Sequence, residues 1–255
     1  MDILVCVKRV PATGAKINLT ADEQMIDTKH LGFAVSPHEE CAVEEAIQQV
    51  KKHGGSVTVM TMGAEIATEQ LKYALAMGAN EAVLVNNNGE DWDPMATASA
   101  LAGAIRELEA DGKTFDALFF GNESADNGGY QVGIRVAHML GLPVIGGIKS
   151  LDIDGDTATA KREVGTSWEV YEVGLPAMFT MKEGINLPRY PSVRGRLKAK
   201  KAKILQITPE HVAGGPSKIR LKQPATAGKQ VQILGNGPDA APKVAAIMDE
   251  LGLLD

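Results

Sequence analysis

A glycine-rich segment at residues 121–133 has the composition of a phosphate-binding loop. It reads GNESADNGGYQVG, follows an apolar run at 117–121 and leads into a stretch with helical periodicity at 130–140. In an open α/β sheet, ligands bind where strands end and helices begin, and the free backbone N–H groups of a helix N-terminus suit a phosphate. An ordinary turn can have the same composition, so these residues alone predict a nucleotide site and a plain loop equally.

A second segment, residues 184–204, concentrates positive charge. It reads GINLPRYPSVRGRLKAKKAKI and holds seven cations and no acid, although the whole chain has a formal net charge of −6. Prolines restrict the backbone on both sides of Tyr190, and Val193 and Leu197 lie one turn apart in a helix-compatible stretch at 192–200. This pattern indicates either a solvated basic face or a presented loop whose apolar tip and basic collar would dock on an acidic protein surface.

Nucleic acid is not predicted as the partner of this basic segment. The segment has one aromatic residue, Tyr190, with which to stack a base, and the rest of the chain is acidic enough to repel a phosphate backbone. An acidic protein surface is the better expectation.

No constellation of catalytic residues stands out. The GxSxG, HExxH, Walker A and GxGxxG patterns are absent and the five histidines are far apart in sequence, so we predict neither a nucleophile nor a metal site nor a hydride-transfer centre. The acid pairs at 39–40 and 44–45 fall near the start of a predicted helix, where we interpret them as favourable charges at the positive end of the helix dipole. Cys6 and Cys41 lack metal-ligand spacing and are expected to be core thiols.

The elements that would position these segments alternate along the first 148 residues. Predicted strands lie at residues 3–10, 56–62, 82–86, 117–121 and 144–148. Predicted helices lie at residues 39–53, 66–77, 95–109 and 130–140. Such alternation is typical of a parallel sheet covered by helices on both faces. The predicted fold class is therefore α/β, with a doubly wound, mostly parallel, Rossmann-like sheet.

Beyond residue 148 the pattern changes. Asp154-Gly155-Asp156 predicts the turn of a small hairpin, and further strands are predicted at 169–173 and 177–181. The tract at 214–242 is rich in Gly, Pro and Lys and predicts an extended arm. An amphipathic helix at 242–254 would end the chain.

Length and composition place the chain among ordinary globular proteins. It has 255 residues, of which 44% are hydrophobic and 23% charged, enough to bury a sizeable core. The first ten residues are too short for a signal peptide, and no apolar run approaches the ~20 residues that span a bilayer. We therefore expect a cytoplasmic protein without membrane insertion.

Five stretches carry a family resemblance that runs collinearly over residues 1–207. They are VKRV at 7–10, SPHEECAVEEA at 36–46, ALAMGAN at 74–80, the loop at 121–133, and NLPRYPSVRGRLKAKKAKI ending at 204. Through these stretches, of which the last is the most specific, the chain resembles the β (small) subunit of electron-transfer flavoproteins.

The resemblance implies a fold of the adenine-nucleotide α-hydrolase-like type and an electron carrier without substrate chemistry of its own. The carrier would be a heterodimer with a larger α subunit that holds most of the FAD. It would take electrons from acyl-CoA or similar flavin dehydrogenases, as in fatty acid β-oxidation, and pass them to a quinone reductase or other acceptor. Residues 1–207 would form the nucleotide-binding domain with a recognition loop at 189–198, and the arm at 208–255 would contact the α subunit.

In this family the β subunit usually buries an AMP with a structural role. Carried onto this sequence, the AMP contacts would be Cys6, Ser36, Pro37, His38, Glu39, Ala67, Gly121, Asn122, Glu123, Ser124, Ala125, Asp126, Asn127, Gly128, Gly129, Tyr130, Gln131 and Val132. His38 also occupies a position where the family often has an aromatic residue near the flavin. Glu163 matches a carboxylate that can pair with an arginine of the mobile FAD domain of the α subunit.

The family's recognition loop falls on the basic segment. Its residues here would be Arg189, Tyr190, Pro191, Ser192, Val193, Arg194, Gly195, Arg196, Leu197 and Lys198. Val193 stands where the loop presents a leucine that anchors in a hydrophobic pocket of the partner dehydrogenase. The resemblance thus implies an apolar anchor with an electrostatic collar.

One departure bears on the identity of the nucleotide. Some family members hold a second FAD in place of AMP and bifurcate electrons from NADH, typically with an Asp-x-x-Thr-x-x-Val pattern in the loop. Asp126 and Val132 fit this pattern, but Gly129 replaces the threonine, and Pro94 also lacks a side-chain donor. We therefore favour AMP over a second FAD. Without the resemblance, a nucleotide-binding regulatory module is a third interpretation.

Overall fold

The computed structural model describes residues 1–224 and 232–254. Its strands are β1 (Asp2–Cys6), β2 (Arg9–Pro11), β3 (Phe33–Val35), β4 (Ser56–Gly63), β5 (Glu81–Asn86), β6 (Ala117–Gly121), β7 (Val144–Asp154), β8 (Thr157–Val164), β9 (Ser167–Gly174), β10 (Ala177–Met181) and β11 (Leu205–Ile207). Its helices are α1 (Pro37–His53), α2 (Thr68–Met77), α3 (Pro94–Ala110), α4 (Val132–Leu140), α5 (Val193–Lys200) and α6 (Ala241–Glu250), with short 3₁₀ turns at Glu65–Ala67 and Pro238–Ala240.

Within the described residues, nine strands form one sheet in the order β11-β5-β4-β1-β6-β10-β7-β8-β9, and β2 pairs with β3 as a separate antiparallel ribbon. The strands from β11 to β7 in that order run parallel, and β8 and β9 add an antiparallel hairpin. After β5 the chain crosses back over β1 to add β6, so the strand order reverses between β1 and β6. The predicted doubly wound α/β fold is confirmed.

The central strand β1 explains why helices cover both faces of the sheet. Ile3, Val5 and Val7 belong to the core shared with α1 and α2, whereas Leu4 and Cys6 belong to the core shared with α3 and α4. Successive side chains of a strand point to opposite faces, so one continuous apolar run serves both cores. Ile3, Leu4 and Val5 are fully buried, and each such side chain stabilises the fold by about 1.5–3 kcal/mol.

The predicted strand at 3–10 is wrong in one respect, because it is interrupted at Lys8. β1 and β2 are separate strands in separate sheets. The Val7 N–H still donates to the neighbouring strand β4, but the Lys8 N–H donates at 2.6 Å to the carboxylate of Glu39 on α1. A buried side chain therefore ends the ladder and turns the chain toward the ribbon.

The other predicted strands and helices occur with shifts at their ends. The predicted turn at residues 154–156 joins β7 to β8. β7 continues to Asp154 instead of ending at residue 148, because its second half pairs with β8. α5 begins after Ser192, whose hydroxyl oxygen accepts a hydrogen bond from the Gly195 N–H at 3.0 Å and so caps the helix.

Residues 208–224, which we call the strap, run back across the domain instead of leaving it. The Leu221 N–H donates to the Glu23 carbonyl at 2.8 Å, and Lys218 forms an ion pair with Asp91 at 2.6 Å. The strap thereby connects the loop between β2 and β3 with the loop after β5.

The remainder of the predicted arm is described only in part. Residues 225–231 of the tract predicted at 214–242, and Asp255, lie outside the described residues. α6 forms as predicted, and none of its residues is buried against the described chain. No helix among the described residues is both long and apolar enough to cross a membrane.

Candidate functional site

A cleft of about 540 Å³ opens at the carboxyl end of the sheet, where the strand order reverses. Its walls are the segments that follow β1, β4, β5 and β6, together with parts of the β2–β3 ribbon and the start of α1. This is the edge at which open α/β sheets bind ligands, and the volume lies in the range of small-molecule sites, roughly 300–1,000 Å³. The loop at 121–133 therefore borders a ligand-sized cleft.

That loop fits closely against α1. A Cβ at Gly121, where β6 ends, would lie 2.6 Å from Cγ of Glu39, so only glycine fits without displacement. Gly128 and Tyr130 have φ values of 54° and 55°, in the left-handed region that strains a tyrosine but not a glycine. Backbone conformation, more than side-chain chemistry, sets the shape of this wall.

The start of α4 contributes donors to the same wall. Gln131, Val132 and Gly133 line the cleft. Within the described chain no side chain caps the first turn of α4, so its leading N–H groups lack an intrahelical or side-chain acceptor. Such groups suit an anion.

Lys8, which follows β1, binds one acid of this loop and one acid of α1. Nζ of Lys8 donates to both carboxylate oxygens of Asp126, at 2.7 and 2.9 Å, while the Lys8 backbone N–H binds Glu39. Glu39 is buried, and burial raises the pKa of its carboxyl to about 8, although the hydrogen bond from Lys8 acts in the opposite direction. The cleft lining thus contains a buried carboxyl group whose pKa lies well above its ordinary value.

His38 connects three segments beside the cleft. Its Nδ1 accepts from the Glu183 N–H at 2.9 Å, and its Nε2 lies 3.2 Å from Oε1 of Glu123. Since Nδ1 is an acceptor, Nε2 carries a ring proton and faces the Glu123 carboxylate at this distance. His38 therefore fixes the loop at 121–133 to the segment that follows β10.

The second candidate region is the basic loop, residues 187–198. Its apolar side chains point away from the domain: Val193 is 78% exposed and Tyr190 88% exposed. Its helix α5 packs by backbone contact, because a Cβ at Gly195 would lie 2.3 Å from the carbonyl oxygen of Ala76. The loop therefore presents an apolar tip on a close-fitting base.

Acids of α1 hold the base of the basic loop. Arg189 binds Glu44 through Nε at 2.7 Å, Nη2 at 2.9 Å and its backbone N–H at 3.2 Å. Burial would raise the pKa of the Glu44 carboxyl, but the hydrogen bonds from Arg189 and Gln48 outweigh it and lower that pKa. The Asn186 amide donates to the Glu45 carboxylate at 2.9 Å.

These contacts correct two sequence expectations. Glu44 and Glu45 lie beyond the first turn of α1, where only Glu39 and Glu40 stand, so their interpretation as charges for the helix dipole is wrong. Arg189 is not a free member of a basic collar, because its guanidinium is bound to a carboxylate of its own domain.

Comparison with known proteins identifies a family and several relatives that this chain is similar to. Residues 25–212 match the family described as "Electron transfer flavoprotein domain". The chain is 37% identical over 203 residues to the electron transfer flavoprotein subunit β of Bacillus subtilis, covering 79% of this chain and 76% of the relative. It is 33% identical over 254 residues to the subunit β of Mycobacterium leprae, covering 92% and 94%, and 36% identical over 222 residues to that of Syntrophomonas wolfei, covering 87% and 84%.

The chain belongs to the electron transfer flavoprotein β-subunit family. Family membership assigns it to electron transport and to flavoproteins.

The cleft brings together most of the residues that the family resemblance assigned to AMP. Those that line it are Cys6, Glu39, Ala67, Gly121, Asn122, Glu123, Ser124, Asp126, Asn127, Gly129, Tyr130, Gln131 and Val132. Those that belong to the same segments without lining it are Ser36, Pro37, His38, Ala125 and Gly128. Ser36 is fully buried, with its hydroxyl donating to the Glu123 carbonyl at 3.5 Å.

Glu163, the family position expected to face the α subunit, does not line the cleft. It lies on β8, where its carboxylate pairs with Lys149 at 2.9 Å. An arginine from another chain would have to compete with Lys149 for this carboxylate.

Sequence reasoning missed several residues around the cleft. Lys8 and Arg9 follow directly after a buried strand at the ligand-binding edge, and two adjacent cations in that position were an available signal. Phe33 stacks on Arg9, with the guanidinium carbon 3.3 Å from the ring centroid. Trp92 meets His211 of the strap edge to face, with ring centroids 4.8 Å apart, and no local sequence pattern announces that pair.

Proposed function

We propose that this chain is the β subunit of a heterodimeric electron carrier, which binds an adenine nucleotide in its cleft and helps to hold FAD at the interface with an α subunit. The observation that carries the proposal is that one helix, α1, supports both the cleft and the basic loop. A carrier needs such a scaffold, because it must stay assembled while it presents a surface to changing partners. In this role the chain has no substrate chemistry of its own.

AMP is the first candidate for the nucleotide. The volume of the cleft, the uncapped start of α4 and the close backbone at Gly121 all fit an adenosine phosphate. Gly129 and Pro94 supply no side-chain donor for a larger cofactor. A second FAD with NADH oxidation is the alternative, because Asp126 and Val132 match the bifurcating pattern.

For the FAD, the α subunit would supply most of the binding surface. When bound, FAD supplies reversible one- and two-electron redox chemistry. On this chain, His38 and Glu163 are the proposed neighbours of the flavin or of its domain. His38 fits that role because its ring is fixed by Glu183 and Glu123.

The basic loop is the proposed docking element for flavin dehydrogenases of the acyl-CoA type. Val193 would enter an apolar pocket on the dehydrogenase, and the exposed cations around it would speed encounter with an acidic surface. Electrons would then pass to a quinone reductase or another acceptor. A cytoplasmic location stays a prediction.

The terminal helix is the proposed contact with the α subunit. Val244, Met248 and Leu251 are exposed on or next to α6, and a helix with an uncovered apolar face gains stability by packing on a partner.

Counting cofactors on the native complex tests the proposal. The chain would be co-produced with its α subunit, and released flavin and nucleotide would be quantified per heterodimer. One flavin with one AMP supports the carrier. Two flavins with NADH oxidation support the bifurcating alternative, and a flavin-free monomer that responds to nucleotide would overturn both in favour of a regulatory module.

A further inference from the structure

The strap, residues 208–224, contacts the wall of the cleft that follows β5. Lys218 forms an ion pair with Asp91 at 2.6 Å, and the rings of His211 and Trp92 meet edge to face with centroids 4.8 Å apart. Asp91 and Trp92 both line the cleft. The strap is therefore attached to a cleft wall through two of its side chains.

Gly215 brings the backbone of the strap directly against the start of α3. A Cβ at this position would overlap the carboxylate of Asp93, so only glycine allows so close an approach. Asp93 caps α3 by accepting a hydrogen bond from the Met95 N–H at 2.7 Å, and its neighbours Trp92 and Pro94 line the cleft. This contact fixes the strap to the same wall at a third point.

The other end of the strap contacts the loop between β2 and β3. The Leu221 N–H donates to the Glu23 carbonyl at 2.8 Å, and the side-chain amide of Gln24 donates to the Ile219 carbonyl at 3.1 Å. Met25, the next residue of that loop, lines the cleft. The strap thus spans from the wall after β5 to the wall formed by the ribbon and its loop.

The strap itself is held weakly. None of residues 208–224 is buried or belongs to a helix or strand, and the side chains of Lys218 and Asp91 are 32% and 64% exposed, so their ion pair contributes little stability. Segments with few buried contacts open locally at low free-energy cost. None of residues 208–224 lines the cleft, so the strap adds no contact surface for a ligand there.

We propose that the strap is a clamp that controls how fast an adenine nucleotide exchanges in the cleft. While the strap is docked, it holds the two walls together, and when it is released, the walls can separate and let the nucleotide pass. Because the strap does not line the cleft, its release should speed entry and exit equally and leave the equilibrium affinity unchanged. This inference rests on the proposed nucleotide function and adds a kinetic control to it.

Exchange of radiolabelled AMP on the complete α/β complex tests the clamp. Gly215→Ala overpacks the contact with Asp93 and should favour the released strap. The AMP dissociation and association rate constants should both rise about tenfold, with a dissociation constant within about twofold of that of the unaltered complex. Lys218→Gln, which leaves the cap of α3 intact, should raise both rate constants about threefold. Lys222→Gln, which removes another exposed cation of the strap, should change neither.

A second readout does not need the nucleotide. In the complex freed of nucleotide, hydrogen exchange of the backbone amides at 17–25 and 87–93 should be faster in Gly215→Ala and Lys218→Gln than in Lys222→Gln, because both walls lose the bridge between them. Exchange of the buried β1 amides should be the same in all three variants, which separates release of the strap from loss of global stability.

The contrary outcomes are distinct. Rate constants that are unchanged in both Gly215→Ala and Lys218→Gln overturn the clamp. Faster dissociation with an unchanged association rate also overturns it and makes the strap part of the binding surface. Hydrogen exchange that is unchanged at both walls overturns the bridge on which the clamp depends. AMP that does not bind the unaltered complex refutes the proposed nucleotide function itself, whereas normal binding with unchanged rates refutes only the clamp.

Discussion

The cleft and the basic loop are built in opposite ways on the same helix. The cleft uses the first turn of α1, where Glu39 meets the backbone of Gly121 and Lys8 with no space to spare. The basic loop uses the following turns, where Glu44 binds Arg189 and leaves the tip of the loop exposed.

The cleft therefore depends on a close backbone fit, whereas the basic loop depends on its exposed side chains. In the cleft, substitutions that add atoms should have the larger effect on stability and nucleotide binding, because backbone conformation and burial define the site. In the basic loop, removing atoms should have the larger effect, because the tip is mostly exposed and is proposed to dock on a partner.

The pH dependence of stability should report the buried end of α1. The pKa of Glu39 is raised from 4.5 to about 8 in the folded chain, so the folded state holds this proton more tightly than the unfolded state. The stabilisation is complete below pH 4.5 and is lost as the pH rises through 8, about 5 kcal/mol in total. Denaturant titrations from pH 4.5 to 9 should show this decline.

Glu39→Gln should flatten that decline, since the amide oxygen still accepts from Lys8 but does not titrate. Glu107→Gln, which changes an exposed acid on α3, should keep the original slope. An unchanged slope in Glu39→Gln would assign the pH dependence to other groups.

Adding one methyl group should distinguish two glycines of the loop at 121–133. Gly121→Ala places a Cβ 2.6 Å from Cγ of Glu39 and should lower the free energy of unfolding by about 1–3 kcal/mol, with loss of nucleotide. Gly129→Ala meets nothing within 4 Å and should change stability by less than about 0.5 kcal/mol. Equal effects of the two changes on unfolding would remove the close-fit argument.

Removing the charge of Glu44 should loosen the basic loop without touching the cleft. Arg189 is 40% exposed while Glu44 is 5% exposed, so water can replace only part of the lost interaction, and Glu44→Gln should cost about 1–2 kcal/mol of stability. The Michaelis constant of the dehydrogenase for the carrier should rise, and nucleotide content should stay constant. A loss of nucleotide would contradict the separation of the two regions.

Truncating the tip should affect docking alone. Val193→Ala removes apolar area worth about 1–2 kcal/mol in a pocket, so the Michaelis constant should rise roughly tenfold with no change in unfolding. Val170→Ala removes the same atoms from an exposed position on β9 and should leave the Michaelis constant unchanged. Identical kinetics for the two variants would return the basic loop to a solvated surface.

Neutralising exposed lysines at the end of α5 should have the smallest effect on association with a partner, and this effect should be the most sensitive to salt. Replacing Lys198, Lys200 and Lys201 by glutamine should slow association with an acidic partner at low ionic strength. The difference should shrink as salt screens charges beyond ~10 Å at 0.1 M. Rates that differ equally at low and high salt would argue against electrostatic steering.

Local periodicity made most of the fold predictable. The apolar run of β1 and the alternation of strands and helices are short-range patterns, and they gave the sheet, the cleft edge and the loop at 121–133. The break at Lys8 was not predictable, because it depends on a carboxylate 31 positions away. Its cause lies in packing and not in any turn signal.

The tip and the base of the basic loop also differed in how far the sequence predicts them. The exposed tip of the basic loop could be deduced from its prolines and from Val193. The ion pair at its base could not be deduced, since Glu44 and Arg189 are 145 positions apart. Each also has an ordinary alternative role, Glu44 as a helix-dipole charge and Arg189 as a solvated cation.

The anchoring of the basic loop by α1 limits how partner specificity can be transplanted. Moving residues 187–198 from one relative into another would transfer the contact surface but not the acids that seat it. A functional graft must carry the residues corresponding to Glu44 and Glu45 as well. If the basic loop docks on a partner as proposed, partner choice depends on two sequence segments, and engineering would have to exchange both together.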